Sequence, residues 1–196
     1  PWYVAKIIAD NFDTLPENVI SLLFKLDERD FVAWGVERNI QGKFYKLSEN
    51  LRNEFVKLAE KNSTAWRVAL TIKDNFDRFP KDVRYELLIK LAEKDSAARY
   101  VTGAIIGNFN ELPADVKGLL FKLTDKDSTA MYVAWAIEEN FDKLPGDVRN
   151  QLLLKLAEKD KANVVEALVM VVKKHLNEIP QKVISRIQKS GYAPGY

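Results

Sequence analysis

Apolar residues recur at helical spacing through the stretch STAWRVALTIKDNFDRFPKDVRYELLIKLAEKD, residues 63–95. Val68, Ile72, Phe76 and Phe79 fall at i, i+4, i+8 and i+11, one face of an α-helix and its exit. The same columns read Val4, Ile8, Phe12 and Leu15 near the start of the chain, and Val133, Ile137, Phe141 and Leu144 further along. A second stripe, Val83, Leu87, Leu88 and Leu91, predicts a second helix. Pro80 separates the two. Proline disfavours helical geometry in the residue before it and suits the first position of the helix after it. An acid or amide follows two residues on, at Asn18, Asn50, Asp82, Asp115 and Asp147. An acid there favours the positive end of the helix dipole. Ser63, Ser96 and Ser128 stand where hydroxyl N-caps of the first helices are expected.

The junction recurs. It reads NFDTLP at 11–16, KFYKLS at 43–48, NFDRFP at 75–80, NFNELP at 108–113, NFDKLP at 140–145 and HLNEIP at 175–180. Its last residues, Pro16, Ser48, Pro80, Pro113, Pro145 and Pro180, are 32, 32, 33, 32 and 35 apart. A fixed period in this range predicts stacked repeats. Neither helix of a repeat can cover its apolar face alone, so stability becomes a sum of nearest-neighbour terms. The column Ala5, Ala69 and Ala134 is small, as a close helix crossing requires. The expected fold is all-α: a right-handed α-solenoid of about six two-helix repeats, first helices outside and second helices inside. The expected boundaries are 1–30, 31–62, 63–95, 96–127, 128–160 and 161–190, one domain over 1–190, then a tail over 191–196.

Composition narrows the chemistry. The chain has 196 residues, 47% hydrophobic and 30% charged, with a formal net charge of +2. A dedicated nucleic-acid binder usually carries a larger or more clustered basic excess. With no cysteine there is no disulfide and no thiolate metal site, and abundant Lys and Glu fit a cytoplasmic protein. No apolar run reaches the roughly 18–20 residues that span a bilayer. No signal peptide is visible.

The unit resembles a HEAT repeat or its armadillo-like relatives. The residues that carry the likeness are the junction proline and the pair after it, Val83-Arg84 and Val148-Arg149, with Leu51-Arg52 and Val116-Lys117 as variants. Asp77 or Asp142 precedes the pair in the turn. The resemblance implies a HEAT-like solenoid whose Asp and Arg form a ladder between successive repeats. The Asp-to-Arg spacing is one residue longer here than in the family pattern. Relatives of this kind are mostly scaffolds and recognition surfaces, with a minority that bind nucleic acid, including HEAT-like DNA glycosylases. The likeness speaks to architecture and not to ligand.

The ends differ from the middle. The last repeat has a Val-rich first helix, Lys161 to His175, and a second, Gln181 to Ser190, with Val183, Ile184 and Ile187 among polar residues. It reads as a C-terminal cap. At the other end Trp2, Tyr3 and Val4 begin in columns that elsewhere pack between repeats. That edge is expected to meet further residues, another domain or another chain, including end-to-end self-association.

Each candidate for chemistry has a structural counterpart. His175, the lone histidine, falls in the column of Asn11, Asn75, Asn108 and Asn140 and reads as closing a helix end. No second group accompanies it at metal or triad spacing, so no catalytic residue, metal or cofactor is expected. Trp2, Trp34 and Trp66 share a column that is either interhelix packing or a binding strip. Lys25, Lys57, Lys90, Lys122 and Lys155 recur, each with an acid three residues on. They form either a neutralised surface ladder or a phosphate track. In the divergent second repeat Glu37 takes a column otherwise small or apolar, beside Trp34 and Arg38. Departures of this kind mark functional positions as often as drift. The inner face is expected to present Asn53, Arg84, Tyr85, Lys117, Arg149 and Asn150, which vary between repeats. The function expected is a non-enzymatic protein–protein interaction module that binds a peptide or protein on its concave face, as a scaffold or the recognition arm of a longer protein. A nucleic-acid binder is the alternative, and no membrane partner is expected.

Overall fold

At each Asn-Phe-Asp junction one helix stops and the next is aimed. The computed structural model describes residues 3, 7, 8, 10–25, 44, 47–159 and 161–189. Among these, α1 spans Glu17–Lys25, α2 Glu49–Glu60, α3 Ala65–Asp74, α4 Lys81–Leu91 and α5 Ala98–Gly107. They are followed by α6 Ala114–Asp125, α7 Asp127–Glu139, α8 Gly146–Ala157, α9 Ala162–His175 and α10 Gln181–Lys189. The described residues are all-helical, with no strand. None of these helices is long and apolar enough to cross a membrane.

The α3–α4 junction shows how the sequence makes the turn. Asn75 closes α3 by donating its side-chain amide to the Thr71 carbonyl at 3.1 Å. Asn11 and Asn140 do the same to Ile7 and Ala136. A single 3-10 turn, Phe76–Arg78, follows and drops the Phe76 ring into the core. Phe79 and Pro80 are extended, with ψ of 141° at both. Pro80 therefore sits just before α4 as its N-cap, one residue earlier than expected, and its carbonyl receives the Arg84 amide at 3.0 Å. Pro113 and Pro145 repeat this. Where Ser48 replaces proline, its hydroxyl accepts from the Leu51 amide at 3.2 Å, a side-chain cap in place of a fixed φ.

The expected serine caps do not form. Ser96 lies in a 3-10 turn and donates to the Asn62 carbonyl, and Ser128 lies inside α7. The hydroxyls used are one residue on. Thr64 and Thr129 donate to the carbonyls of Leu58 and Leu123 at 2.6 and 2.5 Å. Both threonines are buried, and each closes the end of the preceding helix.

Contacts divide the chain into two units, Pro1–Ala104 and Ile105–Tyr196. In the first, α2 packs on α1, α3 and α4, and α3 packs on α4. Phe44, Phe55 and Phe79 meet there with ring centroids 4.8 to 5.9 Å apart. Ile72, Leu87, Leu88 and Leu91 complete that core. In the second, α8 packs on α6, α7, α9 and α10, and α7 packs on α6 and α9. Second helices thus adjoin one another within each unit, as do the first helices α7 and α9. The small column is fully buried at Ala69, Thr102 and Ala134.

Candidate partner-binding surface

The second helices carry most of the residues expected to meet a partner, and their cation column is committed to the fold. Arg84 is 3% exposed and donates from Nη1 to the Phe76 carbonyl at 2.8 Å. Its guanidinium lies 4.1 Å from the Phe76 ring centroid. Arg149 donates to the Phe141 carbonyl at 3.2 Å and lies 3.7 Å over the Phe141 ring. Lys117 places its ammonium 5.1 Å over Phe109, and Arg52 its guanidinium 5.8 Å over Phe44. In all four the phenylalanine of the 3-10 turn and the cation of the next helix are eight residues apart. The cation covers the ring face, where the quadrupole is negative, and Arg84 and Arg149 also donate to the carbonyl of that phenylalanine.

This corrects two expectations. Arg84 does not line an exposed face, because its head is drawn inward to a buried carbonyl. Nor does Asp77 carry a ladder between repeats: it reaches Arg84 of its own repeat at 3.5 Å and is 83% exposed. Arg149 makes one longer-range ion pair, with Glu178 at 3.9 Å. The sequence held the signal as Phe and cation at i and i+8 in the four middle repeats. In the first and last repeats the partner is Ile20 or Ile184, both buried.

Three candidates on the second helices remain beside the clamp. Asn53 is exposed, and Tyr85 is half-buried next to the Arg84 head. Asn150 is half-buried, and its Oδ1 is buried without a hydrogen-bond donor among the described residues. Trp34, Glu37 and Arg38 lie outside the described residues, as does Trp2.

In the lysine row Lys57, Lys90 and Lys155 are neutralised, but not by the acid three residues on. Lys90 pairs with Glu86 at 3.1 Å, one turn back, and with Glu60 of the preceding repeat at 3.6 Å. Lys155 pairs with Asp125 of the preceding repeat at 2.7 Å. Glu60 and Asp125 are the acids that follow Lys57 and Lys122, so each serves the next lysine along. Lys57 itself pairs with Glu54 at 3.3 Å. The hydrogen bond to Glu86 holds the Lys90 ammonium above its ordinary pKa, helped by the charges of Glu86 and Glu60 and opposed by burial. A similar tie joins the next repeats: Lys159 donates to Asp127 at 2.9 Å, and this bond holds the Asp127 carboxyl below its usual range.

His175 takes another role from that of Asn11, Asn75 and Asn140 in its column, which donate back to a helix carbonyl. Its ring stacks on Phe141 of the preceding repeat, with centroids 3.6 Å apart and planes 3° from parallel. Its Nδ1 lies 3.5 Å from Glu178. Trp66 is half-buried against Tyr100 of the next repeat at 6.1 Å, with the Arg67 guanidinium 4.4 Å over it. At the N-terminal edge Tyr3 is 73% and Ile7 60% exposed. The Ile7 column is buried at Thr71, Ala104, Ala136 and Val171. Among the described residues no three His, Cys, Asp or Glu side chains gather as a metal ion would need. Against protein-family models, curated proteins and solved structures, the chain finds no match.

Proposed function

We propose that this chain is a non-enzymatic protein–protein interaction module of the cytoplasm: a HEAT-like, right-handed α-solenoid of six repeats. It binds a peptide or protein on the concave face formed by its second helices. One observation carries this reading. In the four middle repeats the positions that hold the fold keep their chemistry, whereas the position after the clamp cation does not. It is Asn53, Tyr85, Gly118 and Asn150 in turn. A fixed scaffold under a changing outer position is the arrangement of a recognition surface. The exposed Tyr3 and Ile7 extend the reading to the N-terminal edge, where a second copy would cover them. The alternative, a phosphate track along the lysines, is disfavoured because Lys57, Lys90 and Lys155 are each paired to an acid.

Affinity capture with the immobilised chain, with and without nuclease, tests the reading. A discrete protein that survives nuclease and is lost with the variant Asn53→Ala/Tyr85→Ala supports it. Capture that vanishes on nuclease treatment and falls steeply with salt overturns it in favour of nucleic-acid binding.

A further inference from the structure

Helices α8 and α10 of the second unit enclose a groove of about 280 Å³ between them. Its floor is apolar, from Leu154 and Ala157 of α8. One wall is α10, where Lys182, Arg186 and Lys189 stand at i, i+4 and i+7, a single helical face. The opposite face of α10 buries Val183, Ile184 and Ile187, so packing holds this cationic face outward. Arg186 donates from Nε to the carbonyl of Ala157, the last residue of α8, at 3.2 Å. That bond offsets the negative end of the α8 dipole where an anion would otherwise be repelled. Lys182 and Lys189 are exposed and have no acidic partner among the described residues. This sets them apart from Lys57, Lys90, Lys155 and Lys159, which are paired. Glu158 is the one acid lining the groove, against three cations.

We propose that this groove docks an acidic amphipathic segment of a protein partner, with apolar side chains on Leu154 and Ala157 and carboxylates on Lys182, Arg186 and Lys189. The proposal rests on the interaction-module reading and names one site and one partner chemistry for it. An apolar floor with a charged rim suits a peptide with both characters better than a bare phosphate, which would leave the floor uncovered. Lys182 and Lys189 supply charge complementarity without first breaking an internal ion pair.

Fluorescence anisotropy with a labelled helical peptide, a leucine stripe on an otherwise glutamate background, tests this on the full chain. The wild-type chain is expected to bind the peptide and to release it in high salt. Lys182→Glu/Lys189→Glu is expected to weaken binding at least tenfold. Lys81→Glu/Lys94→Glu, the same charge change elsewhere, is expected to leave it within twofold. Far-ultraviolet circular dichroism on both variants checks that each is folded. Absence of binding, or equal loss in both variants, overturns the proposal. So does tighter binding of a single-stranded oligonucleotide to the same lysines. Binding that appears only after removal of residues 191–196 gives the groove to the chain's own tail and overturns the proposal as well. Failure here with a nuclease-resistant partner still captured removes the groove but leaves the interaction module standing.

Discussion

Arg84→Met is the most informative single change. Methionine keeps most of the apolar stem, so little hydrophobic area is lost. What disappears is the head. Arg84 donates to the Phe76 carbonyl at 2.8 Å and stacks 4.1 Å over the Phe76 ring. A hydrogen bond from a charged donor contributes about 1.5–3 kcal/mol, and its loss leaves the Phe76 carbonyl only the longer bond from the Phe79 amide at 3.4 Å. A desolvated cation–π contact adds about 1–2 kcal/mol. Against this, the guanidinium no longer has to be dehydrated. The balance is a loss of about 2–3 kcal/mol. For a chain of this length that lowers Tm by roughly 6–9 °C, taking about 3 °C per kcal/mol. Asp77→Asn is the control. The Asp77 carboxylate is 83% exposed, so solvent screens it and its pair with Arg84 contributes about 0.2–1 kcal/mol. Urea denaturation of both variants, with unchanged m, reads the two effects directly. A change under about 0.5 kcal/mol for Arg84→Met would refute the clamp. So would an equal loss in Asp77→Asn, because the energy would then lie in the ion pair.

Three further outcomes follow from the same contacts. Thr129→Val removes the buried hydroxyl that closes α6 at the Leu123 carbonyl and should cost about 1–2 kcal/mol in urea unfolding. His175→Ala, which removes a ring stacked at 3.6 Å on Phe141, should cost about 1 kcal/mol, and His175→Phe should recover most of it. Asp127 has a folded pKa below its unfolded value of 3.8, so its contribution is present above that pH and fades as pH falls through the lower folded value. The difference in Tm between wild type and Asp127→Asn should therefore be constant from neutral pH to about pH 5 and shrink below pH 4.

Element type was legible wherever period and punctuation agreed. Val68, Ile72 and Phe76 mark α3, and Val83, Leu87 and Leu91 mark α4, because a 3.6-residue stripe ending at a proline has few other solutions. The asparagine column was legible for the same reason, since a short amide at a helix end reaches back four residues to a carbonyl. Finer chemistry was not. Ser63, Ser96 and Ser128 look like caps, yet Thr64 and Thr129 beside two of them face the carbonyl end of the previous helix, and a one-residue offset in helix start is invisible to a stripe. Arg84, Lys117 and Arg149 looked like surface because charged side chains usually are. Only the fold brings a phenylalanine eight residues upstream under each head. Glu60 and Asp125 serve the next repeat's lysine because α2 packs on α4 and α6 on α8, a contact that the sequence of one repeat does not show.

The central claim is that recognition belongs to the residues beside the clamp and not to the clamp itself. Affinity capture by Asn53→Ala/Tyr85→Ala, compared with the wild-type chain under nuclease, tests it most directly. The account predicts a variant that stays folded by far-ultraviolet circular dichroism and no longer holds the captured protein. A variant that keeps its stability and captures the same protein undiminished would contradict it.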